Sequence, residues 1–254
     1  PRHDCYVEPF GGAANVLLRK SPATHEVWND LNNDVVVFFQ CLRERPADLI
    51  NSIHLTPYSR REHSLAWEPT DNPLEQARRF YVRSWQSFGS PTYSKSTDSG
   101  WRFRKTDSRG SSAIKSFYDT DRLWSVAGRL RSVQIECDDA LKVIQRYDTP
   151  NTLHYVDPPY VHSTRAKSTG YSNEMTEDHH NQLANLLQEM EGYVLLSGYD
   201  SDLYRELYSG WHMVSTSARD IQNNQQKECL WLSPRTSAIE VLPLFNLANN
   251  PSEE

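Results

Sequence analysis

The chain has 254 residues, 37% of them hydrophobic, and a formal net charge of -6. That length suits one domain carrying an inserted lobe. No run of roughly 18 apolar residues exists, which excludes a helix of membrane-spanning type, and no secretory leader pattern is visible.

The four cysteines, Cys5, Cys41, Cys137 and Cys229, lie far apart and form no metal-type pair. They read as reduced residues of a cytosolic protein. Pro1 is not a translational start, so residues are expected before it. The charge is uneven: residues 58–131 balance to +6, residues 1–57 to -2 and residues 132–254 to -10. A basic middle inside an acidic chain fits a grafted nucleic-acid-reading lobe. The plainer alternative is a solvated helical lobe with surplus arginine.

Cys5-Tyr6-Val7 is a short strand candidate that runs into Glu8-Pro9-Phe10-Gly11-Gly12-Ala13-Ala14. The pattern of Asn15 to Lys20 is helix-like, giving strand, glycine turn and helix, and the glycines let a backbone approach a ligand closely. His25 to Asp30 is a second strand ending in an acid, 22 residues after Glu8. An acid there can accept both hydroxyls of a ribose. Asp30 could instead cap the next helix, but Asp34 directly precedes Val35–Arg43 and is the better-placed cap. Pro46 to Leu55 is a further helix with proline in its first turn.

From about Pro57 the pattern changes. Pro73 to Trp85 is helical, and Ala77, Phe80, Tyr81, Trp85 and Phe88 share an apolar face that reads as lobe core. Residues 89–112 read as a loop rich in Ser, Thr and Gly. Within it, Trp101, Arg102, Phe103, Arg104 and Lys105 alternate aromatic and basic groups, which can grip phosphates and stack at a displaced base. A surface loop with one anchoring aromatic is the alternative. Thr120 to Arg131 is a helix returning to the main domain.

Ser132 to Glu136 is a third strand, followed by Asp138 and Asp139 and a helix through Arg146. Leu153 to Val156 is a strand that stops at Asp157-Pro158-Pro159-Tyr160, because proline cannot continue a ladder. A helix over Thr176–Met190, a strand over Tyr193–Ser197, a helix over Ser201–Tyr208 and strands near Trp211–Ser215 and Glu228–Leu232 complete an α/β half. His179 and His180 beside Asp178 invite a metal reading, but adjacent helical residues point apart, and no metal is expected. No Ser/His/Asp elbow is visible.

The turn at Asp157 suggests chemistry on a nucleobase amine. The lone pair of such an amine is delocalised into its ring. The Asp157 carboxylate and the Pro158 carbonyl can bind its two hydrogens and draw the lone pair out of conjugation, while Tyr160 stacks on the base. The base must first leave the duplex, and positioning with electrostatics would do most of the work. A Pro-Pro turn closing a strand, with Asp157 as a cap, is the plain alternative.

Asp-Pro-Pro-Tyr after an apolar strand, together with Val7-Glu8-Pro9-Phe10-Gly11-Gly12-Ala13, resembles the Dam-like group of bacterial and phage DNA adenine-N6 methyltransferases. The resemblance implies an α/β, Rossmann-like methyltransferase sheet with helices on both faces and an inserted, mainly helical target-recognition lobe. It divides the chain into residues 1–56 and 132–246 for the catalytic domain, 57–131 for the lobe and 247–254 for a flexible tail. It implies S-adenosyl-L-methionine as cofactor and double-stranded DNA as partner, in the cytoplasm of a bacterial or phage-infected cell. Tyr6, Glu8, Pro9, Phe10, Gly11 and Gly12 would form the cofactor loop, with Glu8 facing the cofactor's amino group. Asp139 would take its adenine amine, with Asp138 as the adjacent competitor, and either could instead cap the helix that follows. Residues 162–174 would close over the target base. The family's Pro-Gly-Gly-Lys-type segment, normally before the first strand, is not in this sequence. Cytosine N4, RNA, or a non-catalytic DNA-binding relic are the alternatives.

Overall fold

The computed structural model describes residues 1–87, 100–103, 113–160, 175–219 and 225–238. Its centre is a seven-stranded sheet made of β1 (Cys5–Glu8), β2 (His25–Asn29), β3 (Val133–Glu136), β4 (Thr152–Val156), β5 (Tyr193–Tyr199), β6 (His212–Arg219) and β7 (Gln225–Leu232). The order is β3-β2-β1-β4-β5-β7-β6. The first five are parallel neighbours, and β7 runs antiparallel to both β5 and β6. β1, β2 and β4 are short and largely buried, as expected where helices cover both faces of a parallel sheet.

The helices are α1 (Asn33–Glu44), α2 (Pro46–His54), α3 (Arg60–Leu65), α4 (Pro73–Gln86), α5 (Ala113–Tyr118), α6 (Asp121–Leu130), α7 (Ala140–Tyr147), α8 (Glu177–Gln188), α9 (Asp202–Leu207) and the single turn α10 (Pro234–Ser237). The strand alternation sorts them onto two faces. Tyr6, Trp28, Val133 and Leu153 pack with Val35, Phe39 and Leu130 of α1 and α6. Val7 and Val27 point the other way, onto Val143 of α7. Ile144 of α7 joins Leu183 of α8 and Tyr204 of α9 over Val156, Val194 and Leu196.

The middle segment does not stand apart from this core. α4 lies along α1, where Phe38 packs on Phe80 and Tyr81 at ring-centre distances of 5.5 and 6.2 Å. Arg83, 7% exposed, pairs with Asp34 at 2.6 Å. Ala77, Phe80 and Tyr81 are buried as the sequence pattern requires, with Trp85 packed against them. Phe88, Arg104, Lys105, the segment 162–174 and the tail 247–254 lie outside the described residues.

Two local expectations fail. Residues 15–19 form turns rather than a helix, so β1 and β2 are joined without a crossover helix. The reason is next to the glycines: Ala14 takes φ 55° and Gly12 φ 47°, left-handed values that interrupt a right-handed helix. The cap of α1 is Asn32, whose side chain accepts the Asp34 N–H, and not Asp34. Asp34 sits in the first turn, where it favours the helix dipole and holds Arg83 and Gln76.

Candidate active site

The order of the strands reverses between β1 and β4, the place where open α/β sheets bind ligands. A cavity of about 480 Å³ opens there, at the carboxyl ends of β1, β2 and β4 and beside the loop after β3. Its volume is in the range of small-molecule sites, roughly 300–1,000 Å³. It is lined by Glu8, Pro9, Phe10, Gly11 and Gly12 from the first loop, Asp30 and Leu31 after β2, Asp138 and Asp139 after β3, and Tyr155, Asp157 and Pro159 at β4. Met175, His179 and Gln182 close it from the start of α8.

The first loop is built around a buried acid. Glu8 is 3% exposed, and its Oε1 accepts the Tyr6 hydroxyl at 2.7 Å and the Leu17 N–H at 2.6 Å. Burial pushes its carboxyl up to about 7, against the pull of those two donors and Lys20, and the charge of Asp157 adds to the rise. Tyr6 itself does not line the cavity; it steadies Glu8 from below. Gly12 donates its N–H to Asp30 Oδ2 at 2.8 Å, and Asn32 donates to Asp30 Oδ1 at 2.7 Å. Burial raises the Asp30 carboxyl, and these two N–H groups oppose it.

Asn29 fastens the three loops together. Its Nδ2 donates to the Pro9 carbonyl at 2.8 Å and the Asp138 carbonyl at 3.0 Å, and its Oδ1 accepts the Asp138 N–H at 2.9 Å. Its own carbonyl accepts the Gly11 N–H at 2.7 Å. The adjacent acids then divide their roles. Asp139 Oδ1 caps α7 by accepting from Leu141 and Lys142. Asp138 is held below its ordinary range by Arg146 and turns to that partner at 2.7 Å. Both acids line the cavity, and Asp139 also caps the helix.

Asp157 follows β4 directly, on the strand next to β1, and its charge reaches Glu8 at the start of the glycine loop. Burial raises its carboxyl; hydrogen bonds from the Ser197 and Tyr160 side chains hold it down, and Glu228 adds to the rise. Pro158 is buried, and neither it nor Tyr160 lines the cavity. Tyr160 packs on Tyr199 with ring centres 4.3 Å apart. Tyr155 lines the cavity, its phenol pushed up to about 12 by burial and by Asp157.

The cavity thus brings together Glu8, Pro9, Phe10, Gly11, Gly12, Asp30, Asp139 and Asp157 from separate stretches of sequence. Trp101 and Arg102 lie elsewhere, in the middle segment. Trp101 pairs with Ser87 as an isolated bridge, and Arg60 lies over its ring at 4.8 Å. The Arg102 backbone is tied to Gln86 and to the Tyr58 hydroxyl. Sequence reading gave no part in the site to Asn29, Tyr155, Ser197 or Gln182, and weighed His179 only as a metal ligand. Only Asn29 left a trace, as a polar residue between buried Trp28 and the acid Asp30. His179 serves a capping box with Thr176, and His180 is buried against Tyr204. Among the described residues no group of His, Cys, Asp and Glu is arranged to hold a metal, and no helix is long and apolar enough to cross a membrane.

A parallel sheet with this strand order, an antiparallel β6–β7 edge and acids at adjacent strand ends defines a Rossmann-like methyltransferase fold. Residues 1–221 match the D12 class N6 adenine-specific DNA methyltransferases, and the chain belongs to that family. It is also 24% identical over 242 residues to the DNA adenine methylase of Escherichia coli strain K12, covering 88% of this chain and 82% of that protein. The DNA adenine methylase of Escherichia coli O157:H7 matches to the same extent. The activity is therefore methylation of adenine N6 in DNA, and a methyltransferase of this family implies S-adenosylmethionine as methyl donor.

Proposed function

We propose that the chain methylates an adenine extruded from double-stranded DNA, with the cofactor bound in the loop-lined half of the cavity and the target amine held at Asp157. The observation that carries this reading is that Asp157 and the Gly11–Gly12 turn line one cavity. The chemistry of the lining supports the cofactor's fit. S-adenosylmethionine offers an ammonium, a ribose diol and an adenine amine, all donors, and the pocket offers carboxylates. Among the described residues, the hydrogen bonds to Glu8 and to Asp139 each fall on one carboxylate oxygen. Glu8 would take the ammonium, Asp30 the ribose and Asp139 the adenine amine, with Phe10, Pro9 and the glycines as walls.

Bound there, the cofactor supplies an electrophilic methyl on a sulfonium. The chain's task is then alignment. Asp157 and the Pro158 carbonyl accept the two amine hydrogens and free the nitrogen lone pair. The nitrogen becomes acidic once alkylated, so its proton can leave without a strong base. Tyr160, backed by Tyr199, would hold the extruded ring by stacking. Residues 57–131, with Trp101, Arg102, Arg104 and Lys105, would grip the DNA around the displaced base. The cytoplasm of a bacterial cell, or a phage-infected one, suits such an activity.

Mass spectrometry of nucleosides from duplex DNA incubated with isotopically labelled S-adenosylmethionine tests the reading. Labelled N6-methyladenine is expected. Label in N4-methylcytosine, or in RNA alone, contradicts it.

A further inference from the structure

Glu8 owes its position to two donors, and both depend on one buried ionic hub. The first donor is the Leu17 N–H. Its turns are held by the Leu18 N–H on the Ala14 carbonyl and by the Arg19 and Lys20 N–H groups on the Val16 carbonyl, and they are tied to α6 by Arg129, whose Nη2 donates to the Leu17 carbonyl at 3.0 Å. The same guanidinium grips both carboxylate oxygens of Glu26, which is 1% exposed near the start of β2. The second donor is the Tyr6 hydroxyl. Lys20 covers the Tyr6 ring at 4.2 Å and donates to the same Glu26 at 2.7 Å. The Ala23 N–H completes the Glu26 shell at 3.1 Å. Burial alone would raise the Glu26 carboxyl, but the Arg129 and Lys20 bonds outweigh it and hold it below its ordinary value.

We propose that Arg129 is a positioning residue for cofactor capture. By holding the Leu17 carbonyl, it keeps the Leu17 N–H on Glu8 Oε1 and leaves Oε2 for the ammonium group of S-adenosylmethionine. The inference rests on the assignment of Glu8 to that ammonium. Only a planar fork can hold a carboxylate at two points and a carbonyl at a third, so lysine is a poor substitute. α6 is also the helix through which the middle segment returns to the sheet, so the cofactor loop is tied to the end of that segment.

The test is calorimetric titration of S-adenosylmethionine into the full chain between pH 6 and pH 9. The charged and titratable groups facing Glu8 are Tyr6, Tyr155, Asp157 and Lys20, and the variants leave them in place. For the native chain, affinity should rise with pH through about 7, as Glu8 ionises, and fall again where the cofactor's own ammonium loses its proton. Arg129→Gln should move that midpoint up by about one unit, so that affinity relative to the native chain falls roughly fivefold at pH 7 and recovers by pH 9. Arg129→Lys should restore the native midpoint only in part. An equal loss at every pH, with the midpoint in place, means simple loosening and overturns the proposal, as does unchanged affinity.

Should Arg129→Gln fail to fold because Glu26 is left unpaired, the pair Glu26→Gln with Arg129→Gln removes that charge. The displaced midpoint must persist in it, and a native midpoint overturns the proposal. Glu8→Gln separates the two layers. If it binds as tightly as the native chain, the assignment of Glu8 fails and the proposal with it. If it weakens binding while Arg129→Gln keeps the native midpoint, only the proposal fails.

Discussion

Gly11 lies against the buried indole of Trp28, so closely that a β-carbon on residue 11 would fall 2.0 Å from Trp28 Nε1. Trp28 cannot retreat: it is fully buried and meets Phe39 edge-on at 4.9 Å. Gly12 has open space around it but takes φ 47°. The neighbours are therefore glycine for different reasons, one steric and one conformational. Gly11→Ala should cost about 2–3 kcal/mol by overpacking. Gly12→Ala should cost about 1–2 kcal/mol, the penalty of a left-handed backbone. Urea denaturation of the two variants should rank them in that order, and equal losses would contradict it.

The buried Glu8 predicts a pH-dependent stability. Its folded value of about 7 is above its ordinary 4.5, so its contribution is complete below 4.5 and is lost as pH rises through about 7. Fully buried His154, depressed from 6.5 to about 4, acts in the opposite sense: its contribution is present above 6.5 and lost as pH falls through about 4. The two partly offset each other in the native chain, and Glu8→Gln isolates the first. Without cofactor, this variant should match the native chain at pH 4 and exceed it at pH 8 by on the order of 3 kcal/mol. Denaturant midpoints at the two pH values give the answer.

Ser197 should set the acid limit of turnover. Its side chain is one of two donors that keep the raised Asp157 carboxyl from rising further. The amine-holding role proposed for Asp157 requires the ionised form. Ser197→Ala should therefore move the acid limb of the kcat profile to higher pH and leave the plateau at alkaline pH near its native height. A plateau lowered throughout, with the limb in place, would assign Ser197 to packing.

The proposed DNA-gripping role of the basic stretch in the middle segment is tested by salt. Neutralising Arg102, Arg104 and Lys105 together should weaken DNA binding. It should also flatten the dependence of log affinity on log salt, by roughly 0.9 for each DNA phosphate that loses its basic partner. An unchanged slope would remove these residues from the DNA-facing surface.

Much of this architecture was legible in the chain because it rests on local pattern. The apolar strands at Cys5, His25, Val133 and Leu153 announce themselves, and so do the acids and prolines that end them. What was not legible depends on partners far away in sequence. Asn29 shows locally only as a polar residue beside Asp30, with no sign of the loops at Pro9 and Asp138 that it joins, and nothing local distinguishes Ser197, which reaches Asp157 from the next strand. The turns at residues 15–19 carry a helical pattern, yet left-handed Ala14 and the bonds of Leu17 to Glu8 and Arg129 give that stretch another use. At α1, the acid in the first turn looked like the cap, but Asn32, two residues earlier, has the extended backbone that a cap needs.

Asp157→Ala gives the most direct test of the central claim, that this carboxylate holds the target amine beside the cofactor. The paired measurement is labelled-methyl transfer to duplex DNA and equilibrium binding of S-adenosylmethionine on the same preparation. Turnover should fall by about 10²–10³-fold or more, the scale of losing a preorganised electrostatic contact, while cofactor affinity stays within a few-fold of native. Native-level methylation, or a parallel collapse of turnover and cofactor binding, would contradict it.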